Sequence, residues 1–346
     1  MIHANDQLSL MYQEAQTAPN QVAMQLAINK TLVETLAAQL RLHPPSLVMT
    51  CAHGSSDHAA TYAQYLVETH MGIPVMSSPP SIFSIFATQE KMDHVLFLAI
   101  SQSGQSPDIL AATQAAKKSG AHVVSLVNDT NSPLAELSNA VIPLHAGIEK
   151  SVAATKSFIC SLSALVHLVA AWKENHELMA ALFSLSSVLE SAFDKDWPHG
   201  LETLKPATSL FVVSRGLGLG VAQEAALKLK ETCALHAEAF SAAEVKHGPM
   251  TIARNGFPVL LFSVQDQTQR SIDDAALALM HQKAQILSAG TIYDKAINLS
   301  LPSCALAPLR PLVFIQSFYK FVNALSIMRG YNPDEPPFLN KITETL

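Results

Sequence analysis

The densest group of acid–base side chains in the sequence lies on one predicted helix. Glu224, Lys228 and Glu231 are spaced four and three residues apart, which places them on one stripe of a helix. Alanines and leucines surround the stripe, and few other charges share the segment. Exposed Glu–Lys pairs that merely support a helix have the same spacing. We interpret the stripe as an acid–base site, because two carboxylates beside an ammonium in apolar surroundings shift one another's pKa values.

A second group of ionisable residues follows in the same block. Glu238, Glu244 and His247 lie within ten residues of one another, and His247 suits a general acid or base near neutral pH. With His236 they could also be considered as metal ligands, but their spacing matches no familiar ligand pattern. We therefore expect acid–base chemistry here, with no metal and no cofactor.

A polar loop between a predicted strand and a predicted helix has the composition of a phosphate site. Residues 101–108 read SQSGQSPD, which brings three hydroxyls and two carboxamides to the start of a helix. The helix dipole and free backbone N–H groups at such a position attract an anion. A capping turn, with Ser106 as N-cap and Pro107 at the first helical position, fits the same residues. No Gly-Lys-Ser/Thr follows, so we predict a small phosphate rather than a nucleotide.

Two further segments carry weaker signals. Gly54, Ser55 and Ser56 follow the first predicted strand, where open α/β sheets bind ligands, although a simple tight turn explains them nearly as well. The preceding His53 is more simply a loop residue than a catalyst. Lys341 is the only lysine of the proline-rich segment 331–346. It is either a solvated terminal lysine or an amine that the segment delivers to the candidate site.

Composition and charge exclude several classes of protein. The 346 residues are 49% hydrophobic and 14% charged, with a net charge of −6 and no basic tract, which argues against disorder and nucleic-acid binding. No signal peptide or membrane-spanning stretch is evident, so we expect a cytoplasmic protein. Four widely spaced cysteines without a CxxC pair are expected to be buried free thiols: Cys51, Cys160, Cys233 and Cys304.

The order of the predicted elements indicates two copies of one α/β unit. Continuously apolar strands alternate with helices, as in a parallel sheet that is buried on both faces. The pattern SLVMTCA near residue 46 returns as SLFVVS at 209–214. We predict a first helix over 20–41, a single helix over 177–192 and a final helix over 309–329. The expected divisions are a helical segment 1–44, one domain over 45–192, a second over 193–330, and a C-terminal segment 331–346 over the active site.

The motifs resemble the sugar isomerase (SIS) domain family in its double-domain form. The matching stretches are CAHGSSDHAA, SQSGQSPDIL, SVAATKSF, the block 224–249 and FLNKITETL. They are most similar to the isomerase half of glucosamine-6-phosphate synthase and to SIS-type glucosamine-6-phosphate deaminases. The resemblance implies two flavodoxin-like α-β-α sandwiches in tandem.

The resemblance also implies roles for individual residues. Glu231 would be the base between C1 and C2, supported by Lys228 and Glu224. His247, given by the neighbouring subunit of a homodimer, would assist ring opening, and Lys341 could form an imine. The residues that would bind the sugar and its phosphate are Gly54, Ser55, Ser56, Ser101, Gln102, Ser103, Ser106, Val152 and Ala153. Ser106 stands where the synthases usually have threonine, so its hydroxyl is kept.

The expected activity is deamination of glucosamine 6-phosphate to fructose 6-phosphate. The synthases carry a glutaminase domain with a cysteine directly after the initiator methionine, whereas residue 2 here is isoleucine and the first cysteine is Cys51. Two alternatives stay open. One is an isomerase or deglycase acting on galactosamine 6-phosphate or a fructosamine 6-phosphate, and the other is a non-catalytic regulator that binds sugar phosphates.

Overall fold

The first half of the chain alternates helices and strands around one parallel sheet. The computed structural model describes residues 8–88 and 90–339. The elements up to residue 193 are α1 (Leu10–Leu42), β1 (Leu47–Cys51), α2 (Ser55–Met71), β2 (Val75–Ser77), α3 (Ser81–Ser84), β3 (Val95–Ser101), α4 (Pro107–Lys118), β4 (His122–Val127), α5 (Pro133–Leu137), β5 (Ala140–Pro143), α6 (Lys156–Trp172), α7 (His176–Phe183) and α8 (Leu185–Phe193). The five strands pair in the order β2-β1-β3-β4-β5, all parallel. Every residue of β3 is buried, as expected when helices cover both faces of a sheet.

The second half repeats this topology. Its elements are α9 (Pro198–Leu204), β6 (Ser209–Ser214), α10 (Leu219–Cys233), β7 (His236–Ser241), β8 (Pro258–Phe262), α11 (Gln269–His281), β9 (Gln285–Ala289), β10 (Ile297–Leu299) and α12 (Arg310–Met328). The strands pair in parallel in the order β7-β6-β8-β9-β10. Both sheets therefore follow the flavodoxin-like order 2-1-3-4-5. The predicted pair of α/β sandwiches is confirmed.

A layer of helices between the two sheets joins the halves into one core. Leu26 of α1, Leu66 of α2, Leu165 of α6, Val221 of α10 and Phe318 of α12 belong to a single cluster of buried apolar residues. The outer faces of the two sheets have separate, smaller clusters, under α4 and α11 respectively. The helices shared by both halves are thus the elements that can carry a site between them.

The helices α2 and α10 approach each other at backbone distance. A carbon placed at the Cβ position of Gly220 would lie 2.4 Å from the carbonyl oxygen of His58 and 3.0 Å from the backbone nitrogen of Tyr62. Real Cβ atoms do not come so close to a backbone atom. The absence of a side chain at Gly220 therefore lets the first turn of α2 reach the polar stripe of α10.

The sequence predictions placed some element boundaries wrongly. α1 begins at residue 10 rather than 20 and continues through Pro19, because Met11, Ala15 and Ala18 are fully buried and tertiary packing outweighs the proline's missing N–H. Ser9 caps this helix by accepting a hydrogen bond from the Tyr12 N–H at 3.1 Å.

Two other differences lie further along the chain. The single helix predicted over 177–192 is the pair α7 and α8, which meet at Ser184. The strands β7, β9 and β10 were not predicted. In β7 and β10 only one residue each is buried, so neither has the continuous apolar pattern of the central strands.

A long apolar helical segment near the C-terminus belongs to the core. By length and composition Ala307–Met328 could cross a membrane, and 78% of its most apolar window is buried inside the protein. It packs against α1, α8 and α10. Burial of this extent is typical of a core helix.

Substitution of Gly220 tests the close contact between α2 and α10. In an ordinary helix Gly→Ala stabilises by roughly 0.5–1 kcal/mol. Here we expect Gly220→Ala to lower the free energy of unfolding by about 1–3 kcal/mol, because the methyl group collides with backbone that no rotamer change can move. Urea unfolding followed by circular dichroism measures the change, and a stabilised variant would contradict the contact.

Candidate active site

The Glu224 carboxylate is fully buried and is held by groups from both halves of the chain. From α2, the Ser55 hydroxyl donates to it at 3.1 Å and the His58 Nδ1 lies 3.0 Å away. From α12, the Tyr319 hydroxyl donates to it at 3.1 Å. The ammonium of Lys228, one turn along α10, is 3.4 Å from the same carboxylate. The first and second units therefore meet on one charged group.

The opposite charges of Glu224 and Lys228 stabilise each other in the buried cluster. Burial alone would raise the pKa of Glu224, but the Lys228 ammonium and the hydrogen bonds from His58 and Ser55 outweigh it and lower the pKa below its usual 4.5. Burial alone would lower the pKa of Lys228, but Glu224 and Glu231 raise it above its usual 10.5. Both groups are therefore charged at neutral pH.

These two shifts define the pH range in which the charges stabilise the fold. The ionised Glu224 contributes stability above its usual pKa of 4.5, and that contribution is lost as the pH falls through the lowered value. The charged Lys228 contributes stability below its usual pKa of 10.5, and that contribution is lost only as the pH rises through the raised value. Neither group titrates near neutral pH.

Glu231 is the accessible carboxylate of the cluster. Its Oε2 accepts a hydrogen bond from the Lys228 Nζ at 2.6 Å. Its side chain is 20% exposed, whereas those of Glu224 and Lys228 are 0% and 1% exposed. A base must reach the proton that it removes, and of these three groups Glu231 has that access.

The polar loop after β3 is tightly folded on itself. The Ser101 hydroxyl accepts a hydrogen bond from the Gly104 N–H at 3.0 Å, and the Gln102 carbonyl accepts one from the Asn128 N–H at 3.2 Å. Gly104 has φ +65°, and a Cβ there would lie 2.2 Å from the Ser132 hydroxyl oxygen. Only glycine fits this position, so the loop can turn sharply before α4.

The hydroxyl of Ser106 is buried at the start of α4 and is unsatisfied by the described part of the chain. Ser106 is the N-cap of α4 and Pro107 follows at the first helical position, as predicted, but the Ser106 side chain makes no capping hydrogen bond. Its oxygen is buried and has no hydrogen-bond partner among the described residues. Buried polar atoms are normally satisfied, so this hydroxyl has hydrogen-bonding capacity that no described residue uses. Ser103, by contrast, accepts a weak bond from the Gln105 N–H at 3.4 Å.

The turn after β1 connects the polar loop to the charged cluster. The His53 imidazole lies 3.8 Å from the carboxylate of Asp108, in the first turn of α4. Gly54 follows with φ +55° and open space around its Cβ position. Ser55 then starts α2 and reaches Glu224, while the half-buried Ser56 occupies the same first turn.

The loop between β5 and α6 also lies near the cluster. Glu149 is buried and accepts hydrogen bonds from the Thr155 N–H at 2.9 Å and the Ser157 hydroxyl at 2.6 Å. Burial lowers the pKa of Lys228, and Glu224, Glu231 and then Glu149 raise it. Burial, Glu224 and then Glu149 raise the pKa of Tyr319. Val152 and Ala153 stand in this loop, half-buried and buried respectively.

One predicted residue, His247, is not joined to the cluster among the described residues. His247 is exposed at the end of the short turn Glu244–Lys246, and no hydrogen bond links it to α10 among the described parts of the chain. Lys341 lies outside the described residues. Glu238, which belongs to the same sequence block as His247, is exposed on β7.

Sequence reasoning missed three residues of the cluster. His58 lies three positions after Ser55, which puts both on one face of α2, but a helix register was needed to see it. Tyr319 is a hydroxyl in an otherwise apolar helix, a sign that it has a buried polar partner. Glu149 gave no signal, because its burial depends on how its loop folds.

The comparison with family models agrees with this architecture. The SIS domain model matches residues 42–171 and 203–289, one stretch in each half and together more than half of the chain. The chain belongs to the SIS domain family, and the resemblance seen in its motifs is confirmed.

Individual relatives show which members of the family this chain is similar to. The glutamine–fructose-6-phosphate aminotransferase (isomerizing) of Sulfolobus acidocaldarius is 31% identical over 316 residues, which cover 90% of this chain and 52% of that protein. The chain thus spans about half the length of the curated relatives it matches.

Solved structures share the fold. A crystal structure of a candidate phosphosugar isomerase from Silicibacter pomeroyi DSS-3 is 42% identical, with a TM-score of 0.90, and covers 94% of this chain and 100% of that one. The C-terminal domain of glucosamine-fructose-6-phosphate aminotransferase from Francisella tularensis has a TM-score of 0.86 at 22% identity, covering 96% and 99% of the two chains. At that identity the second likeness establishes the fold alone.

Neutralising Glu224 tests the mutual compensation of charges. We expect Glu224→Gln to lower the free energy of unfolding by about 3–5 kcal/mol, because the buried Lys228 ammonium loses a full partner. The matched control is Glu34→Gln, which removes the carboxylate of an exposed pair, Lys30–Glu34, also four residues apart. That change should stay within about 0.5 kcal/mol. Equal effects in chemical denaturation would contradict the structural role of Glu224.

Proposed function

We propose that this protein converts glucosamine 6-phosphate and water to fructose 6-phosphate and ammonia by proton transfer between C1 and C2. The observation that carries the proposal is the buried Glu224–Lys228–Glu231 cluster, linked through Ser55 and His53 to the polar loop after β3. A carboxylate base beside a permanent cation, with an anion site nearby, suits proton transfer on a phosphosugar. Relatives named for fructose 6-phosphate and for isomerisation support this substrate class.

The phosphate anchors in the loop of Ser101, Gln102, Ser103 and Ser106. The buried hydroxyl of Ser106 donates to a phosphate oxygen, and the start of α4 supplies backbone N–H groups and its dipole. Gly54, Ser56 and the backbone of Val152 and Ala153 line the sugar. Binding energy from the phosphate fixes C1 and C2 beside the reacting groups.

Glu231 carries the proton between the two carbons. In the open-chain sugar the C1 aldehyde acidifies the C2 hydrogen, so no separate electron sink is required. Glu231 removes that proton while a water molecule protonates the aldehyde oxygen, which gives an enolamine and a hydroxide ion that is neutralised when the iminium is later hydrolysed. Glu231 then protonates C1, which leaves an iminium at C2. Lys228 stays charged throughout, because Glu224 and Glu231 raise its pKa, and it stabilises the enolate-like charge on oxygen.

Ammonia leaves from C2. Water adds to the iminium carbon, the nitrogen departs as ammonia, and the ketone of fructose 6-phosphate remains. Lys341 is the second candidate for this displacement, by imine exchange. Free ammonia is a product of the proposed reaction. A low concentration of ammonia therefore favours formation of fructose 6-phosphate by mass action.

His247 completes the site from a second copy of the chain in this proposal. Its exposed position on the turn Glu244–Lys246 leaves it free to reach a neighbouring molecule, where it moves a proton from the C1 hydroxyl to the ring oxygen and opens the sugar. The segment 331–346 covers the same site and brings Lys341 to it.

One assay tests the proposed reaction. The purified protein is incubated with glucosamine 6-phosphate, and ammonia and fructose 6-phosphate are measured in parallel. Equal release of the two supports deamination. Turnover only of galactosamine 6-phosphate or a fructosamine 6-phosphate would move the chain to a different phosphosugar reaction, and binding without turnover of any of them would make it a regulator.

Removal of the base should separate binding from chemistry. We expect Glu231→Gln to reduce kcat for ammonia release by at least about 100-fold, the contribution of a general base, with little change in sugar-phosphate binding measured by calorimetry. Glu238→Gln, which neutralises an exposed carboxylate of the same block, is the control and should keep wild-type activity. A Glu231→Gln variant with full activity would remove this residue from its role.

Mixing two inactive variants tests the shared site. If each site takes Glu231 from one subunit and His247 from the other, randomly mixed dimers of Glu231→Gln and His247→Ala regain about one quarter of wild-type activity. The mixture is refolded or co-expressed, its mass is determined by light scattering, and ammonia release is measured. A dimeric mixture without recovered activity would show that both residues serve the site of their own chain.

A further inference from the structure

The N-terminus of α1 is closed by a carboxylate from the far end of the chain. The two oxygens of Asp334 accept hydrogen bonds from the Leu10 and Met11 N–H groups, each at 2.7 Å. These are the first two amides of a 33-residue helix, which have no partner within the helix. A negative side chain is favoured at this position by the helix dipole. Asp334 is therefore a fixed point on the C-terminal segment.

The same two elements hold the loop that contains Val152. The Val152 N–H donates to the Asp334 carbonyl oxygen at 3.4 Å. One turn further along α1, the carboxylate of Glu14 accepts hydrogen bonds from the Lys150 and Ser151 N–H groups, the latter at 3.2 Å. Glu14 is only 8% exposed. Three consecutive amides of the loop are thus bound by α1 and by the segment that α1 anchors.

Further contacts make α1 a rigid support for this junction. The Gln25 amide donates to the Leu144 carbonyl at 2.9 Å and the Asn29 amide donates to the Pro143 carbonyl at 2.7 Å, at the end of β5. The helix therefore fixes both the start of the loop and its 150–152 portion, as well as the base of the C-terminal segment.

We propose that Asp334 and Glu14 are positioning residues, which use the first turns of α1 to hold the Val152–Ala153 loop in place beside the sugar site. This inference rests on the proposed function for the identity of the substrate. The geometry of the junction itself does not depend on it. A displaced loop would misplace C1 and C2 relative to Glu231, and a shift of about 1 Å costs an enzyme on the order of 100-fold in rate.

The test compares Asp334→Ala and Asp334→Asn with Glu335→Ala, which alters the adjacent, exposed carboxylate. Amide hydrogen exchange of the ligand-free proteins is followed at residues 10–11 and at 150–152. Steady-state kinetics with glucosamine 6-phosphate and thermal unfolding are measured on the same samples. Glu14→Gln, which keeps one acceptor oxygen, reports on the second anchor.

The expected result is faster exchange at both places in Asp334→Ala, partial rescue in Asp334→Asn, and no change in Glu335→Ala. We expect kcat/KM to fall by about 30- to 100-fold in Asp334→Ala while the protein stays folded at the assay temperature. Faster exchange at residues 10–11 alone, with kcat/KM unchanged, would overturn the coupling.

The two proposals fail in different ways. A wild-type protein that does not turn over glucosamine 6-phosphate removes the proposed function, whereas the exchange at 150–152 still decides whether Asp334 holds the loop. If Asp334→Ala does not fold, the comparison rests on Asp334→Asn and Glu14→Gln. Wild-type exchange at 150–152 in both of these would reject the coupling.

Discussion

A buried carboxylate that is held by groups from both halves of the protein organises this structure. Glu224 is fully buried and would be costly to ionise alone, yet an ammonium from its own helix, and donors from α2 and α12, keep it charged. The position of Lys228, and through it of Glu231, follows from this arrangement. The accessible carboxylate of Glu231 is therefore positioned through Lys228 by a carboxylate that is fully buried.

This arrangement requires the helices between the sheets to meet at close range. Gly220 gives α2 and α10 backbone contact, and it does so one helical turn before Glu224. The close packing of α2 on α10 and the hydrogen bonds from α2 to Glu224 thus both follow from the way these two helices cross. The ends of β1 and β3 meet the same crossing from the first sheet, since the carboxyl edges of parallel strands lie together.

The sequence predicted what depends on local pattern. Apolar strands and repeated topology gave the fold class, and the i, i+4, i+7 spacing gave Glu224, Lys228 and Glu231 as one group. It could not supply His58 or Tyr319, because both act on Glu224 across distances of more than 90 residues along the chain. The start of α1 was misplaced for a similar reason: the packing that carries the helix through its proline comes from the rest of the core.

The shared helical layer bears on whether the tandem units are independent modules. Each has a complete sheet of its own, and a cut in the connection near residues 194–197 would leave both sheets intact. Such a fragment of the second unit would nonetheless expose the apolar flank of α10 to water and strip Glu224 of its donors from α2. The two repeats share one core and one charged cluster, so we expect neither of them to fold in isolation.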